Sequence, residues 1–252
     1  MTLDRPERMN AMAFDVMIPF RDALREISHD NETRVVVVTG AGHGFSSGAD
    51  HVDAGAPQHI DGLTVPTIAL RAMEQLDDVI TTIRKMHQPV IAALNGAAIG
   101  GGFCLALACD VRIASDAAYF RAAGINNGLT AAELGISYLL PRAVGSSRAF
   151  EIMLSGRDVD AREAEHMGLV STVVAPERLL ETCYALADTM IGYSRPGIEL
   201  TKRMLWASLD AGSLAAHMDH EGIAQLFVRL TTKNFEESVK ARKEKRKPIF
   251  LD

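Results

Sequence analysis

The sequence predicts an α/β fold with a helical C-terminal extension, and three features carry that expectation. The first is the run Arg34-Val35-Val36-Val37-Val38-Thr39, whose consecutive β-branched residues suit a strand buried on both faces, as in parallel sheets flanked by helices. The second is the uncharged stretch from Val90 to Cys109, an apolar opening followed by glycines and a second apolar segment. The third is the pattern after Thr130, which is helical almost throughout. Strands early and helices late place a mixed core first and a helical extension last. At 252 residues the chain is one large domain, or one domain with an appendage.

The elements follow in order. Apolar residues at Val16, Phe20, Leu24 and Ile27 keep helical spacing, and Pro19 within them predicts a helix that starts or kinks there. After the Arg34–Thr39 strand, residues 40–55 read as a glycine-rich loop, and a mobile segment is expected up to Pro66. Ile68, Ala72, Leu76, Val79, Ile80, Ile83 and Met86 then mark a long amphipathic helix, which Pro89 ends. Val90–Leu94 is the second buried strand, and Gly102–Ala108 a buried helix. Val111–Ala114 and Tyr119-Phe120 are further strands. Beyond Thr130, one strand is expected over Leu169–Val174. The final helices run over Glu177–Ile191, Pro196–Leu209, Leu214–Leu230 and Phe235–Lys245.

Composition excludes several classes. Hydrophobic residues make up 48% and charged residues 23%, the balance of a globular protein with an ample core. A formal net charge of −6 argues against general binding to nucleic acid or an anionic membrane. The stretch Val90–Cys109 contains Gly96-x-x-x-Gly100, a small-residue motif of membrane helices, but three consecutive glycines at its centre break any spanning helix. Cys104, Cys109 and Cys183 are odd in number and show no C-x-x-C spacing, so neither a disulfide framework nor a zinc site is expected. The charged N-terminus lacks a signal peptide's apolar region, and a reducing, cytoplasmic location is expected.

Three glycine motifs compete for a chemical reading. Gly40-Ala41-Gly42-His43-Gly44 misses the dinucleotide fingerprint, because its third glycine falls one residue early and no helix pattern begins there. Gly44-Phe45-Ser46-Ser47-Gly48 satisfies G-x-S-x-G, yet six residues separate Ser46 from the preceding strand, which weakens a serine hydrolase reading. Asn95-Gly96-Ala97-Ala98-Ile99-Gly100-Gly101-Gly102 joins a buried strand to a buried helix. It leaves free N–H groups at a helix start, which stabilise negative charge. No lysine or serine stands at phosphate-loop spacing, so a developing oxyanion suits this turn better than a phosphate. Tight helix–sheet packing through glycine explains the same residues equally well.

Several segments together resemble the enoyl-CoA hydratase/isomerase (crotonase) family. They are Leu3-Asp4-Arg5-Pro6-Glu7-Arg8-Met9-Asn10-Ala11, Phe45-Ser46-Ser47-Gly48-Ala49-Asp50, Pro89 through Gly102, and Ala108-Cys109-Asp110. Leu154-Ser155-Gly156-Arg157, Gly168-Leu169-Val170 and Glu244-Lys245-Arg246-Lys247-Pro248 with Phe250 continue them in family order. The resemblance implies a crotonase-like spiral of ββα units that binds an acyl-CoA thioester. It divides the chain into an acyl-CoA-binding core over residues 1–190 and a helical oligomerisation region over residues 191–252, in a homotrimer or a dimer of trimers. Family members carry about one more strand hairpin upstream, which leaves a truncated start or a late start codon as an open reading.

By the same resemblance, the backbone N–H groups of Ala49 and Gly101 polarise the thioester carbonyl. Arg8, Met9, Ser47, Asp50, His51 and Lys245 lie on the CoA side of the site, with Asp50 also expected to fix its loop by hydrogen bonding. The basic run from Lys240 to Lys247 would lie near the CoA phosphates, often those held by a neighbouring subunit. CoA enters as part of the substrate, so no separate cofactor and no metal are expected. The departures matter for mechanism: the two glutamates of the family's hydratases match Cys104 and Gly124 here, and neither can serve as an acid–base pair. Glu133 matches a position where dienoyl-CoA isomerases and some dehalogenase relatives carry a functional aspartate, so one carboxylate could shuttle a proton in an isomerase. Thr130-x-x-Glu133 also reads as a capping box in which Glu133 only satisfies a helix start. The leading expectation is isomerase-like proton transfer on an enoyl-CoA. A non-catalytic CoA-thioester-binding homologue comes second and a serine hydrolase third.

Overall fold

The computed structural model describes residues 1–251. The chain opens with β1 (Thr2–Leu3) and α1 (Phe14–His29), then β2 (Val36–Gly40), β3 (Gly44–Ser46) and α2 (Val65–Lys85). Next come β4 (Val90–Leu94), β5 (Ala97–Ile99), α3 (Gly101–Ala108), β6 (Val111–Ser115), β7 (Tyr119–Arg121) and α4 (Ile136–Val144). The order β2-β3-α2, β4-β5-α3, β6-β7-α4 is the expected spiral of strand-strand-helix turns. Each turn gives its first strand to a parallel sheet of order β1-β2-β4-β6, and its second to another sheet of order β3-β5-β7. After α5 (Ser146–Ser155), β8 (Val159–Asp160) pairs antiparallel with β7. After α6 (Ala161–His166), β9 (Thr172–Val174) closes the first sheet beside β6.

The first sheet is buried on both faces, which is why its strands read as continuous apolar runs. Val36, Val38, Val90, Ala92 and Leu94 face the main core. Their alternates Val37, Ile91, Ala93 and Ile113 face α7 (Leu179–Ile191) through Leu179, Cys183 and Ala187. Each fully buried Ile or Leu there contributes roughly 1.5–3 kcal/mol. Every residue of α3 is buried, so the Val90–Cys109 stretch is a strand, a short strand and a central helix. Among the described residues, no helix is long and apolar enough to cross a membrane.

Three expectations about elements need correction. Helix α1 starts at Phe14 and runs through Pro19, because Met17, Ile18, Phe20 and Leu24 bury on one face. Their burial outweighs the roughly 3 kcal/mol of an interior proline. Strands β3, β5 and β8 fall where the sequence reads as loop, glycine turn and helix. At two or three residues each they exist through mutual pairing and carry no period of their own. The Leu169–Val174 strand shortens to Thr172–Val174, with Leu169 and Val170 buried just ahead of it.

Three further helices complete the chain: α8 (Arg195–Ser208), α9 (Leu214–Thr231) and α10 (Asn234–Lys243). Helix α8 is clasped to the core by a buried ammonium. Lys202 Nζ donates to the carbonyls of Ile83 (3.1 Å) and Gln88 (2.8 Å) and pairs with Asp110 Oδ2 at 2.8 Å. Asp110 also accepts from the Val90 N–H (2.7 Å) and from Trp206 Nε1 (2.6 Å). The buried positions of α8 and α9 among the described residues are polar, Lys202 and His217. Their large apolar residues Leu205, Leu214, Ile223 and Leu230 are exposed.

Candidate active site

The site forms where the loop after β3 meets the start of α3. Gly48 has φ +81°, a conformation that L side chains rarely adopt, and this turns the chain toward β5. A Cβ at Gly48 would stand 2.6 Å from the Ile99 carbonyl oxygen and 3.2 Å from the Gly101 nitrogen, so only glycine allows this approach. The next residue, Ala49, forms an isolated parallel bridge with Met12. The bridge uses the groups on either side of Ala49: Met12 N–H donates to the Gly48 carbonyl (2.7 Å), and Asp50 N–H donates to the Met12 carbonyl (3.1 Å). The Ala49 N–H has no acceptor among the described residues, and neither has the Gly101 N–H at the first position of α3. One donor on the loop after β3 and one at the start of α3 are thus left open, and open N–H groups of this kind suit a negative oxygen.

Met12 and Leu134 wall this notch, lying 2.8 Å (Sδ) and 3.4 Å (Cδ1) from where a Gly101 Cβ would be. Glu133 reaches the same place: its Oε1 lies 3.3 Å from the position of a Gly100 Cβ. The carboxylate makes no hydrogen bond or ion pair among the described residues. Burial raises its pKa above the ordinary glutamate value, and the His51 charge pulls the other way. The capping-box reading of Thr130 and Glu133 is corrected, because α4 begins three residues beyond Glu133. Thr130 Oγ1 accepts from the Ala132 N–H, at 3.0 Å. Immediately after Glu133, Leu134 holds φ +44° and Gly135 φ +80°. A left-handed leucine costs roughly 1–2 kcal/mol, and such strain clusters at functional sites.

The positions matching the hydratase glutamates are closed to that chemistry. Cys104 is fully buried, its Sγ donates to the Glu133 carbonyl at 3.5 Å, and burial, then the Glu133 charge, push its thiol well above the usual range. At Gly124, a Cβ would lie 2.0 Å from the Thr130 carbonyl oxygen, so the backbone that leads to Glu133 fills the space a side chain would need.

The N-terminal signature braces the donor loop. Asp50 has its side chain 1% exposed and pairs with the guanidinium of Arg8, and with Arg5 Nη2 at 3.4 Å. It also accepts from the N–H groups of Asp53 (2.9 Å) and Val52 (3.0 Å). These bonds, the one from Asp53 foremost, hold its pKa at about 2. Ser47 N–H donates to the Met9 carbonyl at 2.9 Å, and Ser47 Oγ to the Arg8 carbonyl at 3.3 Å. Asn10, buried and at φ +54°, donates to the carbonyls of Ala41 (2.9 Å) and Gly44 (2.8 Å). Arg8, Met9, Ser47, Ala49, Asp50, His51, Gly101 and Glu133 therefore gather in one region. Lys245 is exposed just past α10, at φ +54°, and makes no hydrogen bond or ion pair with any of them among the described residues. Ser46 sits inside β3 with its side chain buried, donating to the Asn10 carbonyl at 2.9 Å, and no helix follows. The nucleophile-elbow reading is thereby overturned. Sequence reading missed Met12 and the backbone at Thr130. Met12 carries no motif, and the Thr130 carbonyl meets Gly124 only in the folded chain.

Comparison with known proteins agrees with this geometry. A family model described as enoyl-CoA hydratase/isomerase matches residues 1–252. A probable enoyl-CoA hydratase of Mycobacterium tuberculosis is 69% identical over 251 residues, covering 100% of this chain and 88% of that protein. The crystal structure of a probable enoyl-CoA hydratase/isomerase from Mycobacterium abscessus aligns with a TM-score of 0.94 at 69% identity, over 99% of this chain and 93% of the other. That of a monofunctional enoyl CoA isomerase from M. smegmatis aligns with a TM-score of 0.73 at 62% identity, over 86% and 91%. By its strand-strand-helix spiral, its open pair of backbone donors and these relatives, the chain belongs to the enoyl-CoA hydratase/isomerase family of enzymes.

Proposed function

We propose that this enzyme moves the double bond of a 3-enoyl-CoA into conjugation with the thioester, and that it hydrates 2-enoyl-CoA poorly or not at all. The observation that carries the reading is the open donor pair, Ala49 N–H and Gly101 N–H, with the unpartnered Glu133 carboxylate against Gly100. The thioester carbonyl oxygen accepts from both donors, each typically worth ~3 kcal/mol of barrier. Glu133 takes the α-proton as the C–H pair enters the dienolate, and its raised pKa makes it the stronger base for that step. A proton returned at the γ-carbon completes the shift. Hydration would need a second carboxylate to place water, and the blocked Gly124 and the protonated Cys104 argue against one there. The solved relative described as a monofunctional enoyl CoA isomerase supports the same choice.

Arg8, Met9, Ser47 and His51 border the CoA side in this reading, and the buried Asp50 positions the donor loop through Arg8 and the Val52 and Asp53 N–H groups. Lys245 and its basic neighbours meet CoA phosphates from an adjacent subunit. The exposed apolar faces of α8 and α9 support assembly as a trimer or a dimer of trimers, with residues 191–252 as the contact region. Three buried free cysteines fit a reducing cytoplasm. Assays of the parent and of Glu133→Gln on 3-enoyl-CoA and crotonyl-CoA test the reading. Isomerisation is expected in the parent only, with CoA-thioester binding retained in both. No turnover of any enoyl-CoA by the parent, with binding intact, would establish a non-catalytic binding protein instead.

A further inference from the structure

Met12 is tied to both of the open donors. Its main chain brackets Ala49: the Met12 N–H donates to the Gly48 carbonyl at 2.7 Å, and its carbonyl accepts from the Asp50 N–H at 3.1 Å. A little further on, Phe14 N–H donates to the Ala54 carbonyl at 2.8 Å, so the segment entering α1 is pinned along the donor loop. From that fixed origin the side chain crosses to α3. Its Sδ and Cε stand 2.8 Å and 3.3 Å from where a Gly101 Cβ would be, and Leu134 Cδ1 meets the same point at 3.4 Å. Met12 and Leu134 are 7% and 6% exposed and belong to the main core, whose close packing keeps the thioether in place. Glu133 approaches the preceding glycine instead, with Oε1 3.3 Å from the position of a Gly100 Cβ. The helix start therefore has a carboxylate against one glycine and an apolar wall against the next.

We infer that Met12, backed by Leu134, sets the acyl specificity of this site at the α-carbon: thioesters with two α-hydrogens are admitted, and those with an α-methyl group are rejected. The inference rests on the isomerase reading above, in which the thioester oxygen sits between the Ala49 and Gly101 N–H groups. The α-carbon is two bonds from that oxygen, so its substituents reach whatever borders Gly101. The C–H bond that Glu133 breaks stands across the thioester plane, because its electron pair has to enter the dienolate. The second α-substituent is then left near that plane, where the oxygen and its donors lie and where the Met12 thioether closes the space. A hydrogen fits there. A methyl group meets the sulfur, and the pinned main chain and the Leu134 side chain leave the thioether no way to retreat.

The test compares kcat/KM for isomerisation of a straight-chain 3-enoyl-CoA and of its racemic 2-methyl counterpart by the parent, Met12→Ala and Met12→Leu. The parent should prefer the straight chain by roughly 10–200-fold, the usual worth of one carbon in an apolar pocket. Met12→Ala should cut that preference at least tenfold, whereas Met12→Leu, which nearly conserves volume, should retain it. Met12→Val, which also removes Sδ and Cε, should shift the ratio the same way and serves if the alanine variant does not fold. A purely structural role would lower both substrates together and leave the ratio where it was. An unchanged ratio in the folded Met12→Ala or Met12→Val enzyme, or a parent as fast on the 2-methyl substrate as on the straight chain, would overturn the role of Met12 and leave the isomerase reading standing. Absence of straight-chain turnover by the parent would overturn both.

Discussion

Gly124 offers the sharpest quantitative prediction. Adding a Cβ there puts a carbon 2.0 Å from the Thr130 carbonyl oxygen, 2.9 Å from the Thr130 carbonyl carbon and 3.2 Å from Ala131 Cα. Real Cβ contacts do not fall below about 3.0 Å, so the backbone at 130–131 must retreat by roughly 1 Å in Gly124→Ala. Overpacking of this kind costs about 1–3 kcal/mol, which lowers the melting temperature of a chain this size by roughly 2–12 °C. The displaced segment leads directly to Glu133. A misplacement of about 1 Å at a reacting group is enough for a loss on the order of 100-fold. Thermal melts and the appearance of conjugated enoyl-thioester absorbance from 3-enoyl-CoA measure the two effects. The Cys104→Glu/Gly124→Glu double variant, which restores both hydratase carboxylates by residue type, should gain no hydration of crotonyl-CoA. The reasoning is refuted if Gly124→Ala melts with the parent and isomerises within threefold of it, or if the folded double variant hydrates crotonyl-CoA.

Further outcomes follow from the charged groups. Lys202→Met leaves the half-buried Asp110 without its cation and should cost about 3–5 kcal/mol, read as a lower urea midpoint, with Lys202→Met/Asp110→Asn recovering part of it. Asp50 is held at about 2 against an unfolded value of 3.8, so its contribution is full above pH 4 and is lost as pH falls through about 2. Asp50→Asn should therefore lower stability at neutral pH and flatten the acid side of a stability–pH curve measured by denaturant unfolding. His51→Gln removes the charge that opposes the rise of Glu133, so the acid limb of the isomerase pH–rate profile should move to higher pH.

Much of this protein was legible from residue order. The valine run of β2, the uncharged stretch of β4 and α3, and the helical close are local patterns set by burial, and a buried strand or helix advertises itself in consecutive residues. The glycine-rich turns around Ala49 and Gly101 also stand in the sequence, and it was the family resemblance that nominated their N–H groups as donors. Tertiary structure alone decided the rest. Strands β3 and β5 exist only through pairing, β3 with β5 and β5 also with β7, and Pro19 sits mid-helix because the face around it is buried. The capping-box reading of Glu133 fell because α4 starts at Ile136, and Ser46 lost its hydrolase reading because its hydroxyl is inside a strand. The closure of position 124 depends on a carbonyl six residues away. Sequence order specifies what each residue can donate, accept or bury. Which carboxylate stays unpaired and which glycine has no room are set by contacts between chain segments that only folding brings together.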